Sequence, residues 1–174
     1  SRQLNAVYSA LIGQVESFGG SVISFAGDSI IGWFDAATAG SSTALRAVTC
    51  AQGMQSAMEE FQELSLKVVI TTGSARRLIA GDPNIQLMDT LAGKTIARLA
   101  TAERLASKGE IILDEATHEV IGADAKILGE RIDADISAKF LVLGSLDHPS
   151  QRQSLPPFDM SAVSAESLRP WLLA

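Results

Sequence analysis

The run Phe25-Ala26-Gly27-Asp28 puts a glycine and a carboxylate together between two apolar segments, Val22–Phe25 and Ile30–Phe34. Glycine lets the backbone come close to a ligand. A carboxylate at the end of a strand pair can hold a hard cation. The same Asp28 also fits a turn residue bonded to its own backbone. A second candidate is Gly93-Lys94-Thr95, which follows the apolar segment Ile85–Met88 and opens a helical pattern. A phosphate loop of the form G-x-x-x-x-G-K-[ST] needs a glycine where Met88 stands, and its acid-ended strand would have to be Ile111–Glu115, one short helix later. An ordinary strand–helix–strand unit with Asp114 as a helix N-cap accounts for the same residues. Lys67 lies in the β-branched segment Leu66–Thr72. It either runs its stem along a sheet edge or offers a cation to phosphates. His118-Glu119 and Arg76-Arg77 read as solvated pairs, and Met54 and Met58, at helical spacing, read as core.

Composition narrows the chemistry. The 174 residues are 47% apolar and 20% charged, enough for the core of one globular domain. Fourteen basic against twenty acidic residues give a formal charge of −6, which excludes a general nucleic-acid binder built on a basic face. No apolar run reaches the roughly 18 residues of a membrane span. A single Cys50 excludes an internal disulfide framework and fits a reducing, cytoplasmic setting. With only His118 and His148, a zinc site of several His or Cys ligands is excluded, so a catalytic metal would be magnesium or manganese on oxygen ligands.

Periodicity sets out the elements that must position these residues. Leu4, Val7, Leu11, Val15 and Phe18 predict an amphipathic helix closed by Gly19-Gly20. The hairpin Val22–Phe34 follows, then a small-residue loop over Asp35–Ser42 and a helix over Thr43–Phe61. Strands are predicted at Leu66–Thr72, Leu78–Ala80, Ile85–Met88 and Glu110–Leu113. Helices are predicted at Lys94–Ala106 and from Asp114 to Gly122. Two weaker strands cover Ala125–Leu128 and Phe140–Leu143. Residues 1–147 are expected to form the domain. Residues 148–174 are expected to be a linker, from His148 to Pro157, and a terminal helix broken by Pro170. A start at Ser1 without Met or signal pattern, running straight into a helix, is expected of an internal piece of a longer protein. The whole reads as an α/β sandwich with a mixed, mostly antiparallel sheet and packed helices.

Taken in order, Gly19 to Phe34 resembles the central hairpin of class III adenylate/guanylate cyclase catalytic domains. Leu66–Gly73 resembles that family's next core strand. Leu91–Leu113, with Gly93, Ala100, Glu103 and Gly109, resembles its late helix–strand segment, so the likeness runs from about Leu4 to Gly122. It is greatest to the first, metal-bearing domain of soluble adenylyl cyclase-like tandem proteins, which precedes a second cyclase domain and an ATPase module.

The resemblance implies a ferredoxin-like α+β fold working as a pseudo-twofold pair, with ATP at the interface converted to cyclic AMP and pyrophosphate with two Mg2+ or Mn2+ ions. Asp28 then matches one metal ligand, and Phe25, Ala26 and Gly27 line the substrate. Lys67 falls where the family carries a cation for the triphosphate. A second metal Asp would lie on a strand upstream of Ser1. Ser24 stands at the base-reading Lys position, and Asp89 lies about one residue from the second base-reading acid. Ala97 and Thr101 stand where the family has its transition-state Asn and Arg. Loss of such an Arg costs about 10³–10⁵ in rate, so the chain is expected to need a complementary domain. Ser24 and Ala100 also replace the basic side chains of a bicarbonate pocket. The other reading is a catalytically inactive cyclase-homology domain, serving as a dimerisation or sensory module.

Overall fold

A computed structural model describes residues 2–36, 42–153, 155–156, 159, 161 and 163–172. Helix α1 (Arg2–Ser17) buries Val7, Leu11 and Val15, the three- and four-residue stripe expected of it. Its end turns through Gly19 and Gly20. A Cβ on Gly20 would lie 2.8 Å from both Val15 and Phe34, so only glycine fits where the turn is pressed against the hairpin. Strands β1 (Ser21–Ala26) and β2 (Ser29–Trp33) pair antiparallel, with an irregularity between Val22 and Ser24.

Helix α2 (Thr43–Met58) is three residues shorter than its apolar pattern, and Phe61 packs beside it from a following turn. Of the expected loop, residues 37–41 lie outside the described residues. Strand β3 (Val68–Ile70) is shorter than the Leu66–Thr72 pattern, because its partner ladder spans only Ile111 to Leu113. Lys67 therefore precedes the strand rather than lying within it. Strands β4 (Arg76–Asp82) and β5 (Gln86–Ala92) form a seven-pair hairpin, longer than the expected strands. Helix α3 (Lys94–Leu105), strand β6 (Ile111–Asp114) and helix α4 (Glu115–Ile121) follow as expected. Strands β7 (Ala125–Asp133) and β8 (Ala138–Leu146) are nine residues each, the longest described strands rather than weak ones. The last described helix, α5 (Ala165–Leu168), passes into a 3₁₀ turn over Arg169–Trp171 that contains Pro170.

The main sheet has the order β3-β6-β8-β7, with β3 and β6 parallel and the other pairs antiparallel. Helices cover both of its faces. Ala44, Val48 and Ala51 of α2 pack with Ile111, Leu113, Val68 and Ile70 on one face. Ala102 and Leu105 of α3 pack with Ile112, Phe140 and Val69 on the other. This alternation along β3 and β6 explains why both strands read as unbroken apolar runs. The segment after β8 is tied back onto the helices: Ser150 N–H donates to Thr49 Oγ1 (2.9 Å) and Gln153 N–H to the Ser17 carbonyl (2.8 Å). Among the described residues, no helix is long and apolar enough to cross a membrane.

Candidate functional site

Asp28 is the second residue of a two-residue hairpin loop, since Ala26 is paired with Ser29. Gly27 has φ +61° and Asp28 does not share that sign, the pattern of a type II′ turn, in which the first central residue must be glycine. Three contacts brace the tip. Ser29 Oγ donates to the Ala26 carbonyl (2.8 Å), Tyr8 Oη of α1 donates to the Gly27 carbonyl (3.2 Å), and the Tyr8 ring meets Phe25 edge-on at 5.6 Å. The Asp28 carboxylate is exposed, and no hydrogen bond or ion pair among the described residues engages it. It is a solvated carboxylate on a braced turn. The local self-bonded turn reading therefore does not describe it.

The other expected residues are not gathered around it. Lys67 Nζ sits 2.5 Å from Glu103 Oε1 and 3.0 Å from the Glu103 carbonyl, so α3 already answers its charge. Phe25 is more than half exposed. Ser24 is half-buried in β1, Ala97 is exposed on α3, and Thr101 is buried one turn later with Arg104 at 3.4 Å. Asp89 lies on β5 and forms an ion pair with Arg77, which lifts the guanidinium further above its ordinary range. Arg77 is thus engaged rather than simply solvated. The phosphate-loop alternative fails on position: β5 is one arm of a hairpin, not a parallel sheet strand, and Asp114 is the α4 N-cap, accepting from Thr117 N–H at 2.9 Å.

Divalent ions need several oxygen donors. Among the described residues no three His, Cys, Asp or Glu side chains converge. Asp28 offers a single carboxylate, and the described residues do not by themselves form a metal site.

Two positioning residues carried no sequence signal. Arg46, fully buried in α2, donates from Nη1 to the carbonyls of Phe18 (3.0 Å) and Gly19 (3.3 Å) and from Nη2 to that of Asp35 (3.2 Å). It clamps the entry and exit of the hairpin that carries Asp28. Tyr8, flanking the buried stripe of α1, is the other. A cavity of about 430 Å³ lies between β2 and β3, and neither Asp28 nor Lys67 is in its walls.

No protein-family model and no curated protein matches the chain. Solved structures do. The guanylyl cyclase Cya2 superimposes with a TM-score of 0.71 at 20% identity, over 88% of this chain and 84% of that one. The guanylate cyclase domain of RhGC from Catenaria anguillulae, solved with GTP, gives 0.69 at 17% identity over 83% and 82%. The adenylyl cyclase CyaB from P. aeruginosa gives 0.67 at 17% identity over 84% and 83%. With its braced hairpin, helix-covered mixed sheet and this breadth of superposition, the chain has the fold of the class III adenylyl/guanylyl cyclase catalytic domain.

Proposed function

We propose that this chain is the metal-bearing half of a nucleotidyl cyclase, forming cyclic AMP and pyrophosphate from ATP only when paired with a complementary cyclase domain. The observation that carries this reading is the exposed, unengaged Asp28 carboxylate on a braced type II′ tip. An exposed carboxylate with no protein partner is free to take a cation, and a divalent ion is the cation a hard oxygen ligand suits. Asp28 would be one ligand of a Mg2+ or Mn2+ site completed by an Asp upstream of Ser1. The metal would neutralise triphosphate charge and activate the attacking hydroxyl.

This chain's own residues would bind and orient. Phe25, Ala26 and Gly27 would present backbone to the substrate. Lys67 would exchange Glu103 for a phosphate oxygen. The side chains at Ala97 and Thr101 cannot supply a hydrogen-bonding amide or a guanidinium, so those groups would come from the partner domain. An attached ATPase module and a cytoplasmic setting belong to the same reading.

The test is cyclic nucleotide production by the full-length protein with ATP or GTP and Mn2+. Asp28→Ala should lower the rate by at least about a hundredfold, since even residues one step removed from a metal cost 10–100-fold. Asp28→Glu should retain more than Asp28→Ala. If there is no product with either nucleotide and Asp28→Ala has no effect on metal or nucleotide binding, the second reading stands. That reading is a cyclase-homology domain used for dimerisation or sensing, and the Lys67–Glu103 pair and the residues at 97 and 101 favour it.

A further inference from the structure

Strand β7 is the outer edge of the main sheet, at the end opposite β3, and its one strand partner among the described residues is β8. A free edge of this length offers a row of unpaired backbone groups to an extended chain. The side chains of β7 alternate strictly, although the β7–β8 ladder is irregular between Lys126 and Gly129. Lys126, Leu128, Glu130 and Ile132 take the exposed face, and Ile127, Gly129, Arg131 and Asp133 the half-buried one. Two of the exposed residues are large and apolar: Leu128 is 77% and Ile132 68% exposed. Leu128 lies across Gly144 of β8, where a Cβ would meet its side chain at 2.9 Å, and its outer side stays open. The charges on this face are ordered as well. Lys126 reaches Asp147 (2.8 Å), and Glu130 reaches Lys139 (3.6 Å).

We propose that this edge pairs antiparallel with β7 of a second copy of the chain, about a two-fold axis through Leu128, and joins two four-stranded sheets into one continuous sheet. The charges set the register. With the axis at Leu128, Lys126 stands opposite Glu130 of the second copy on both sides of the axis, Leu128 stands opposite Leu128, and Ile127 stands opposite Gly129. An axis at Lys126 or Glu130 sets like charge on like. An axis at Ile127 or Gly129 sets Lys126 against Leu128 or Ile132. Opposite-charge and apolar pairs are the cross-strand pairs that stabilise a ladder. The existing ion pairs extend this pattern into a row of alternating sign: Asp147 and Lys126 of one copy, then Glu130 and Lys139 of the other. Gly129 has open space where a Cβ would stand, apart from Arg131 Nη1 at 3.9 Å, so Ile127 of the second copy can lie over it. The same charges name the occupant. Against a foreign strand, a Lys and a Glu on an edge discourage pairing. Against this strand reversed, each meets its opposite. The ladder runs over Ala125–Arg131 on both copies, within the usual length of a strand.

This inference rests on the sheet edge and its charges, not on any catalytic reading, and its test involves neither nucleotide nor metal. In the full-length protein, Leu128→Cys oxidised with diamide should give an intermolecular disulfide that mass spectrometry maps between position 128 of two copies. Directly opposed Cβ atoms lie about 4.5–5.5 Å apart, within reach of a disulfide after a small adjustment. Cys50 is buried and stays out of the reaction. Ile132→Cys, which faces Asp124 of the second copy in this register, should give at least about tenfold less of its own symmetric product. Added to Leu128→Cys, either Lys126→Glu or Glu130→Lys sets like charge on like across the axis and should lower the yield by about tenfold or more. The two charge variants mixed in equal amounts regain both opposite pairs, so the yield should recover as a mixed disulfide that mass identifies. Recovery also shows that both variants fold. Equal yields from Leu128→Cys and Ile132→Cys, a product joining position 128 to any other segment or protein, yields unmoved by either charge change, or a mixture no better than its components would each overturn the inference.

Discussion

Removing the Asp114 carboxylate should loosen the end of β3 that borders the cavity between β2 and β3. Asp114 is almost fully buried. Its Oδ1 accepts from Thr117 N–H (2.9 Å), Thr117 Oγ1 (2.6 Å) and Thr72 N–H (3.2 Å), and its Oδ2 accepts from Arg98 Nε (2.9 Å). Arg98 in turn donates from Nη2 to the Thr72 carbonyl (2.8 Å). One carboxylate thus joins β6, the start of α4, the end of β3 and α3. In Asp114→Ala, loss of the N-cap costs about 1 kcal/mol. The orphaned Thr72 N–H adds about 1 kcal/mol, while the Thr117 hydroxyl keeps the Thr72 hydroxyl at 2.8 Å. Leaving a buried pair half-empty costs about 3–5 kcal/mol in full burial. The Arg98 side chain is 31% exposed and keeps its bond to Thr72, so that last figure falls to about 1 kcal/mol. The expected loss is about 3 kcal/mol, or about 1.5 M in the urea midpoint at an m-value of about 2 kcal/mol/M, followed by circular dichroism. Asp114→Asn keeps an oxygen for the cap and should lose about half as much. In a double-mutant cycle with Arg98→Leu, the two sites should couple by about 1 kcal/mol. A loss under about 0.5 kcal/mol for Asp114→Ala would refute the claim that this network holds β3 in place.

The hydrogen bond from His148 Nδ1 to Asp124 (2.8 Å), together with its charge, raises the imidazole above its ordinary 6.5. An NMR titration should therefore show a midpoint above that value, falling back toward it in Asp124→Asn, with Asp147 still raising it slightly. The protonated pair is formed below pH 6.5 and its contribution fades as pH rises through the raised folded value; a midpoint at or below 6.5 would contradict the contact. Burial pushes the Cys50 thiol up from 9.0 to about 12, so its thiolate at pH 8 should be about a thousandfold scarcer than in the unfolded chain. Reaction with a disulfide reagent should slow accordingly, and equal rates in native and denatured protein would show an open site. Gly20→Ala should cost about 1–3 kcal/mol by driving its methyl into Val15 and Phe34, which a thermal melt would register as a fall of several degrees.

The elements that declare themselves in the sequence are those with one wet and one dry face, or with a stop signal of their own. Val7, Leu11 and Val15 draw α1, Gly27-Asp28 draws the hairpin, and Asp114 draws the start of α4. The arm formed by β4 and β5 is longer than its letters imply, because every residue of β4 is exposed and no burial alternation is available to read. Strands β7 and β8 are hidden for a different reason. Burial along β7 alternates, but its inward positions include Gly129, Arg131 and Asp133, so the ladder continues after the apolar residues stop. Arg46 has no local signal at all: its acceptors are backbone carbonyls 11 to 28 residues away, and a carbonyl has no letter. Asp28 is legible as a turn acid, but that Lys67 is engaged depends on Glu103, on a helix 36 residues downstream of Lys67.

That asymmetry constrains how the proposed site could work. The residues that brace the hairpin tip, Tyr8, Phe25 and Ser29, carry no charge, so Asp28 sets the local sign there as negative. A triphosphate is negative too, and two like charges about 4 Å apart repel by about 1 kcal/mol in water and several-fold more once partly desolvated. Lys67 offers little relief while it is held by Glu103, because drawing it to a phosphate means giving up an existing ion pair. On the proposed reading, then, a nucleotide reaches this half of the pair only behind a divalent cation. On the same reading, charge of the opposite sign would come from beyond the tip, from the metal and from the complementary domain. The arrangement explains why replacing the side chains expected at positions 97 and 101 need not leave the braced carboxylate without purpose. On the proposed reading, groups that stabilise the transition state would sit on the partner, while the turn that carries Asp28 is braced by its own scaffold through Arg46, Tyr8 and Gly27.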